Sequence, residues 1–454
     1  MHSLRHTEAK GSEIHMTVQT ASIWLLKKGS ERKFRFGHPW VFSNELAQSP
    51  KGLPLGELIE LRDYQGSFLA RGYGHPNSLI AFRTLTLNGN EVIDAAFFQR
   101  RFEQAALLRQ IAGLSRFSHR LCFAEGDRLP GLVIDRYILA PEGQVLVIQS
   151  STAGMDRLLP LVYEALQNLI TAEHQADATR PSWAQTSLVV ANDSKSRAME
   201  NIASEPKTTL RNATGFTPEL AELVVQPGLD HLPALHFKAD FIGGQKTGFF
   251  LDQRLNVHLA SRLTQGLLQR SSDGSKKREI RVLDLCCYIG QWGSQLAHLA
   301  NQLGHRATVT CVDSSAKALQ LAGTNVEAHG GVAELVKMDV LTALEQIPRK
   351  SYDIVICDPP AFIKKKKDLP TGSQAYFKMN REAIRKVASS GIFVSCSCSG
   401  LFLDEDFRDM LSKVSSVFDG KISYLARGGH SPDHPQRPEF PQGTYLKAWL
   451  GVVE

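Results

Sequence analysis

The sequence predicts an α/β protein whose C-terminal half is an open parallel sheet with helices on both faces, preceded by a small β-rich module and a central α/β domain. Three observations carry this. Four apolar stretches between Val282 and Gly400 run up to polar residues: Asp284, Asp313, Asp358 and Cys398. Amphipathic helical stretches separate them, the alternation of a sheet wound by crossover helices. At 454 residues the chain exceeds one ordinary core, so two or three domains are expected.

Residues 1–20 read as a disordered tail lacking the apolar core of a signal peptide, with Met16 as a candidate start. Residues 21–94 read as the β-rich module, where ELIELRD and SFLARGYG flank a turn at Asp63–Gly66, a hairpin signal. Lys27, Lys28, Arg32, Lys33 and Arg35 cluster at its start, interleaved with Phe34, Phe36 and Trp40. Such residues can serve phosphate and base contacts, but composition alone favours a solvated face over core aromatics. A helix is expected over Ala95–Gly113, opening the central domain of 95–215. There CFAEGDRLPGLVIDRY places a turn between two strands, QVLVIQSS is another strand, and MDRLLPLVYEALQNLI is an amphipathic helix. A loop is expected over Thr171–Pro181, and further loop or edge structure to about Gly215.

Residues 216–454 form the third domain. FKADFIGGQKTGFFLDQRLN predicts a hairpin turning at Gly243-Gly244 and then a helix, and Gln265–Lys277 a polar loop. Trp292, Leu296, Leu299 and Leu303 make one helical stripe, stopped at Gly304. Ser314 or Ser315 caps the next helix, which carries Leu319, Ala322 and Val326.

Bulk composition excludes several classes. Hydrophobic content of 43% and charged content of 22% are those of a folded globular chain. No apolar run reaches bilayer length, so no membrane partner is expected. The seven cysteines follow no framework spacing, which predicts reduced thiols and a cytoplasmic location. No second cysteine pair complements Cys396 and Cys398, so no metal is expected. The net charge of +6 permits a polyanionic partner without requiring one.

Ligands of open α/β sheets bind outside the carboxyl ends of the strands. A carboxylate there, such as Asp313, offers two acceptor oxygens to a ribose diol. Asp339 is placed to accept from an adenine amine, with Met338 against the ring. Gly290 and Gly293 follow Asp284 in a turn without a G-x-G-x-x-G pattern or a phosphate-binding lysine. Each acid taken singly also fits a helix cap; together they suit a nucleoside without phosphates, such as S-adenosylmethionine. Asp358-Pro359-Pro360-Ala361-Phe362 reads as a stiff loop able to face a flat heterocycle. Cys398 leaves its strand beside Gly400, whereas Cys396 reads as buried and inert. A thiolate adding to carbon 6 of cytosine would make carbon 5 nucleophilic, and such a thiol is expected to have a lowered pKa. Lys246, Asp252, Gln253 and Arg254 sit among apolar residues, placed either to line a pocket or to pair on the surface. Lys364, Lys365 and the two lysines after them lie just past the Asp-Pro-Pro loop, which favours phosphate contact.

The motifs GHPWVFS (37–43), GDRLPGLVIDRY (126–137), GQKTGFFLDQR (244–254), DLCCYIGQWG (284–293), CDPPAF (357–362), SCSG (397–400) and HPQRPEFPQGTYLK (434–447) occur in one order. In these the chain resembles the bacterial large-subunit ribosomal RNA cytosine-5 methyltransferases of the RlmI type, from about Ile23 to Val453. The resemblance implies a β-barrel-like PUA domain that binds RNA, a central α/β domain and a Rossmann-like class I methyltransferase sheet. It implies cofactor positions at Asp284, Tyr288, Gly290, Asp313 and Asp339, with Gln253 and Arg254 flanking the pocket. Asp358 would face the base, Cys398 would be the nucleophile, and His38 and Trp40 would join the basic cluster in holding RNA. No group is implied for removing the carbon-5 proton, and a homodimer is compatible with the pattern. Two rival readings stand beside this one: methylation of a guanine ring nitrogen or an exocyclic amine without a covalent intermediate, and a non-catalytic RNA-binding assembly factor.

Overall fold

The computed structural model describes residues 22–213, 215–270 and 277–454. The expected tail over 1–20, with Met16, lies outside the described residues, as do 271–276 of the expected polar loop.

The N-terminal sheet consists of β1 (Ser22–Leu25), β2 (Trp40–Phe42), β3 (Leu58–Arg62), β4 (Phe68–Gly74) and β5 (Ile80–Thr86), in the order β1-β3-β4-β5-β2. A short helix, α1 (Glu31–Arg35), precedes β2. Strands β3 and β4 pair antiparallel. The Asp63 carboxylate closes their turn by accepting from the amides of Gln65 and Ser67 at 3.0 and 2.9 Å. This is the local hydrogen bonding that makes Asp a turn residue.

The central unit begins with α2 (Ala95–Ile111), capped by the Asp94 side chain on the Phe97 amide. Then come β6 (His119–Phe123), β7 (Leu132–Ile138), β8 (Gln144–Ser150), α3 (Ala153–Ala176), β9 (Thr186–Val190) and β10 (Thr208–Arg211), in the sheet order β10-β9-β8-β7-β6. Two expectations fail here. Helix α3 continues through the predicted loop to Ala176, because its polar last turns are tied by ion pairs, Glu173 accepting from Arg136 at 2.7 Å and Arg180 at 3.1 Å. The predicted edge region contains β9, a buried strand parallel to β8, whose short apolar run is too brief to announce itself in sequence. Helices α2 and α3 cover one face of this sheet. Leu58, Tyr73 and Leu85 of the N-terminal sheet enter the same core, and the Tyr73 hydroxyl donates to the Pro130 carbonyl at 2.7 Å.

On the other face lies the antiparallel pair β11 (Ala221–Val225) and β12 (Leu235–Ala239). The hairpin therefore forms upstream of Gly243-Gly244, and no strand follows that turn. The cause is Asp240, whose carboxylate accepts from the amides of Ile242 and Gly243 at 2.9 and 2.7 Å and curls the chain into tight turns. A Cβ on Gly244 would sit 2.1 Å from the Asp240 carbonyl oxygen, so only glycine fits that curl.

The C-terminal unit runs α4 (Arg254–Arg270), β13 (Glu279–Leu285), α5 (Gln291–Gln302), β14 (Arg306–Asp313), α6 (Ala316–Ala328), β15 (Val332–Lys337), α7 (Val340–Gln346), β16 (Tyr352–Cys357), α8 (Leu369–Ile384), β17 (Val387–Ser397), α9 (Asp404–Ser416), β18 (Ile422–Gly428) and β19 (Lys447–Val453). Helix α4 occupies the first part of the expected loop at 265–277. The sheet order is β15-β14-β13-β16-β17-β19-β18; the first five strands are parallel and β19 runs antiparallel to both neighbours. Helices α4, α5 and α6 pack on one face and α7, α8 and α9 on the other. The chain steps outward from β13 to β15, then returns to place β16 beside β13. That reversal opens a crevice at the carboxyl ends of the strands. Among the described residues, no helix is long and apolar enough to cross a membrane.

Candidate active site

A cavity of about 570 Å³ occupies the crevice, a volume within the usual range of ligand pockets. One wall is built by the ends of β13, β14 and β15. Asp313 lines it and accepts one amide on each oxygen, from Tyr288 at 3.0 Å and Ser315 at 2.9 Å. A carboxylate has lone pairs beyond these two, enough for a diol. Met338, Val340 and Leu341 supply an apolar surface, and Asp339 stands exposed at its edge, where its carboxylate also caps α7. Tyr288 lines the cavity in a left-handed backbone conformation, φ +51°, as does Cys286 at φ +60°. Non-glycine residues in that region are strained, and such strain concentrates at functional turns. The Tyr288 hydroxyl accepts from the Gln245 amide at 2.9 Å and donates to the Gly248 carbonyl at 3.1 Å, so its ring props the 240–250 turns against the crevice.

The opposite wall carries Asp358, Pro359, Pro360, Phe362 and Cys398. Asp358 is clamped: Gln253 Nε2 donates to its two oxygens at 3.0 and 2.9 Å, and Trp292 Nε1 to one of them at 3.1 Å. Gln253 is in turn fixed by Asn256 Nδ2, 2.6 Å from its Oε1. Burial pushes the Asp358 carboxyl up to about 6 against these donors, with the Asp252 charge adding to the rise. The Cys398 sulfur lies 3.8 Å from the Pro359 carbonyl oxygen, and Cys396 is fully buried away from the cavity. The expected lowering of the Cys398 pKa does not occur in the protein alone. Burial pushes the thiol up to about 11, opposed by the Lys246 cation and, more weakly, by Lys447. Asp252 lines the same cavity, with the Tyr445 hydroxyl donating to it at 2.6 Å. Burial would raise its carboxyl, but Lys246, His434 and that hydroxyl hold it below the ordinary value.

Asp313, Asp339, Tyr288, Gln253, Asp358 and Cys398 thus meet in one cavity. Three other expected positions sit outside its lining. Asp284 is fully buried beneath the floor, where one oxygen accepts the Gly293 amide at 3.1 Å and the other has no protein partner. Gly290 is needed for packing: its φ is +77°, and a Cβ there would lie 3.1 Å from Ala322 of α6. Arg254 turns toward the central domain, donating to the Ser118 carbonyl and approaching Asp433 at 4.0 Å. Sequence reading missed this buried ionic cluster, in which Arg109 pairs with Asp127, Arg120 with Asp135, and Asp433 accepts from the Arg120 amide. Charged residues embedded in apolar runs, as in VIDRY, were the available signal. It also missed Trp292 and Lys447 as neighbours of the reacting groups.

In the N-terminal unit, Lys27, Lys28, Arg32 and Arg35 are exposed, Arg35 lying 3.2 Å from Asp63. Lys33 is half-buried, its ammonium 4.1 Å from the centre of the Phe42 ring. His38 and Trp40 are placed differently from the expectation. His38 is buried and accepts the Trp40 amide at 3.2 Å. Trp40 donates to Glu125 at 2.8 Å and packs edge-on to Phe440 at 4.7 Å. Both rings are spent on joining the N-terminal sheet to the rest of the chain. Lys364 and Lys365 are exposed just past the Pro359–Phe362 wall, their amides bound by Asp368.

Family profiles match two stretches: a PUA-like domain over residues 25–87 and a methyltransferase small domain over 256–419. Ribosomal RNA large subunit methyltransferase I of Klebsiella pneumoniae is 31% identical over 94% of this chain and 96% of its own length. The protein of the same name from Photobacterium profundum is 32% identical over 96% of this chain and 100% of its own. The chain belongs to this family. It is, with the family, an S-adenosylmethionine-dependent methyltransferase, and the cavity chemistry agrees. The Asp313 carboxylate beside the apolar surface of Met338, Val340 and Leu341 fits the diol and ring of a nucleoside. A solved structure described as a putative SAM-dependent methyltransferase from Streptococcus mutans shares the family's architecture here. It has a TM-score of 0.69 at 18% identity and covers 95% of this chain and all of that one.

Proposed function

We propose that the protein methylates carbon 5 of a cytosine in large-subunit ribosomal RNA through a cysteine-linked intermediate. The RNA class is supported by the names of the relatives. The atom and mechanism are supported by one observation: Cys398 and Asp358 share a wall of the cavity that faces the Asp313–Met338 wall. Asp313, Asp339 and Tyr288 would hold S-adenosylmethionine, which supplies an electrophilic methyl on a sulfonium. The target cytosine leaves its stack, at a cost of a few kcal/mol, and lies against Pro359 and Pro360. Asp358, held rigid by Gln253 and Trp292, hydrogen-bonds the polar edge of the ring. The Cys398 sulfur adds to carbon 6, which makes carbon 5 nucleophilic. After methylation a base takes the carbon-5 proton, the sulfur–carbon bond breaks and the thiolate leaves.

Lys27, Lys28, Arg32 and Arg35, with Lys364 and Lys365 at the cavity, are proposed to bind RNA phosphates. Divisions at 21–94, 95–215 and 216–454 are proposed as the domains. An RNA substrate and seven cysteines without a disulfide support a cytoplasmic location. The raised Cys398 thiol favours the rival in which a base nitrogen attacks directly, and Cys398→Ala separates the two. Loss of turnover by several orders of magnitude, with calorimetric binding of S-adenosylmethionine intact, is expected. Full turnover in that variant would end the thiolate reading.

A further inference from the structure

Methylation of carbon 5 by a sulfonium must shed one proton, so the cavity needs a base. Among the described residues, four carboxylates line it: Asp252, Asp313, Asp339 and Asp358. Asp313 and Asp339 stand on the cofactor wall, and both oxygens of Asp358 are taken by Gln253 and Trp292. Asp252 is only 6% exposed, yet it lines the cavity with one oxygen unengaged. Its Oδ2 accepts the Tyr445 hydroxyl at 2.6 Å, while Oδ1 makes no hydrogen bond or ion pair among the described residues. A desolvated carboxylate oxygen without a donor is costly. One that opens on a ligand cavity marks a place for chemistry.

The surrounding chain fixes where Asp252 stands. It precedes Gln253, which holds Asp358, and its own carbonyl accepts the Ser431 amide at 3.1 Å. Tyr445 is strapped to the strand exit that carries Cys398. Lys447 Nζ joins the Tyr445 and Ser399 carbonyls at 2.9 and 2.7 Å, and a Cβ on Gly400 would lie 3.6 Å from that of Tyr445. The Asp252–Tyr445 pair therefore belongs to the wall of Cys398 and Asp358. Burial and the Asp252 charge push the Tyr445 phenol well above its ordinary value, so it stays protonated and donates. Against burial, Lys246 and His434 hold Asp252 below its ordinary value, so it stays charged and accepts.

We propose that Asp252 is the catalytic base that takes the proton from carbon 5, through its free Oδ1. The inference rests on the reading of Cys398 as nucleophile and of Asp313 and Met338 as the cofactor wall. On that reading sulfur and methyl reach the ring from opposite faces. The methyl lies on the Asp313 side of carbon 5, and the hydrogen is turned to the wall where Asp252 stands. The bond from carbon 5 to hydrogen breaks, and its electrons form the double bond between carbons 5 and 6. The bond from carbon 6 to sulfur breaks, and its electrons go to sulfur, which regains the proton the thiol gave up on addition. The carbon-5 proton forms an O–H bond on Asp252 and passes to solvent as the one proton released by the net reaction. The unsaturated carbon 4 beside carbon 5 acidifies that hydrogen, so a carboxylate is basic enough.

The test is Asp252→Asn in the full-length protein, which keeps an oxygen for Tyr445 and removes the charge. The substrate is a full-length transcript of large-subunit ribosomal RNA, with methyl-labelled S-adenosylmethionine. Turnover should fall about 10²–10⁴-fold, the usual contribution of a general base. A labelled protein–RNA adduct, stable on a denaturing gel, should accumulate in the variant and vanish when Cys398→Ala is added. Structural damage alone would lower adduct formation. On RNA transcribed with 5-fluorocytidine, which has no carbon-5 proton to lose, parent and variant should form the adduct at similar rates. Parental turnover in Asp252→Asn, or lost turnover without an accumulated adduct, overturns the proposal. If Cys398→Ala alone still methylates the RNA, or the parent forms no adduct on 5-fluorocytidine RNA, the nucleophile reading fails and the base assignment falls with it. The two failures are thus read from different variants.

Discussion

Replacing Asp284 by Asn should make the protein more stable above pH 7 than the parent, by a margin that shrinks as the pH falls. Asp284 is fully buried at the end of β13, with one oxygen on the Gly293 amide and the other without a protein partner. Burial, with the nearby Asp358 and Asp313 charges, pushes its carboxyl up to about 7. An unfolded aspartate titrates near ~3.9. Between those values the native state holds a proton that the unfolded state has released, so stability falls as the pH rises through the window. From pH 5 to the folded value is about two units, and at ~1.36 kcal/mol per unit the parent loses about 2.7 kcal/mol. Asn has no such transition and keeps an acceptor for the Gly293 amide. The stability difference between variant and parent should therefore grow by about 2–3 kcal/mol between pH 5 and pH 8. Urea unfolding of both proteins at a series of pH values, compared midpoint by midpoint, measures it. A difference that is flat with pH, or that shrinks toward pH 8, refutes the argument. A carboxylate that lowers stability at working pH, directly under the cofactor wall, is the kind of local conflict expected at a functional site.

Two further outcomes follow from the joins and surfaces described above. Trp40→Ala removes the packing on Phe440 and the indole donor of the half-buried Glu125 carboxylate, so a loss of about 2–4 kcal/mol is expected. Faster limited proteolysis between β5 and α2 should accompany it, and an unaltered melting curve with unchanged cleavage would exclude the interdomain role. Removing Lys28 and Arg32 together should lower RNA affinity and reduce the salt slope of binding by about two. An unchanged slope would show those side chains to be a solvated face.

The C-terminal half was largely legible because strand and crossover-helix periods are local. The apolar runs ending at Asp313, Asp358 and Cys398 become parallel strands whose ends open on one crevice. The cap at Ser315 and the stop near Gly304 also follow from single residues. What misled was polarity read without its partners. The end of α3 looks like a loop until Arg136 and Arg180 are placed on Glu173. The 236–250 stretch looks like a hairpin until β12 finds β11 and Asp240 curls the chain. His38, Trp40 and Arg254 look like ligand contacts until Phe440, Glu125, Ser118 and Asp433 arrive from distant parts of the chain.

By itself, then, the sequence determined the family, the class of sheet and the strand ends at which chemistry is carried. These depend on short-range pattern and on residue types that recur in order. Only the tertiary structure decided which polar groups face the cavity, which are spent on joining domains, and how the reacting groups are charged. It set Asp284 and Cys398 in desolvated places that raise both, and it brought Lys447, 49 residues beyond Cys398 in the chain, to the carbonyl that follows the sulfur. Burial and long-range electrostatics depend on what the fold packs around a group, and no local pattern encodes that.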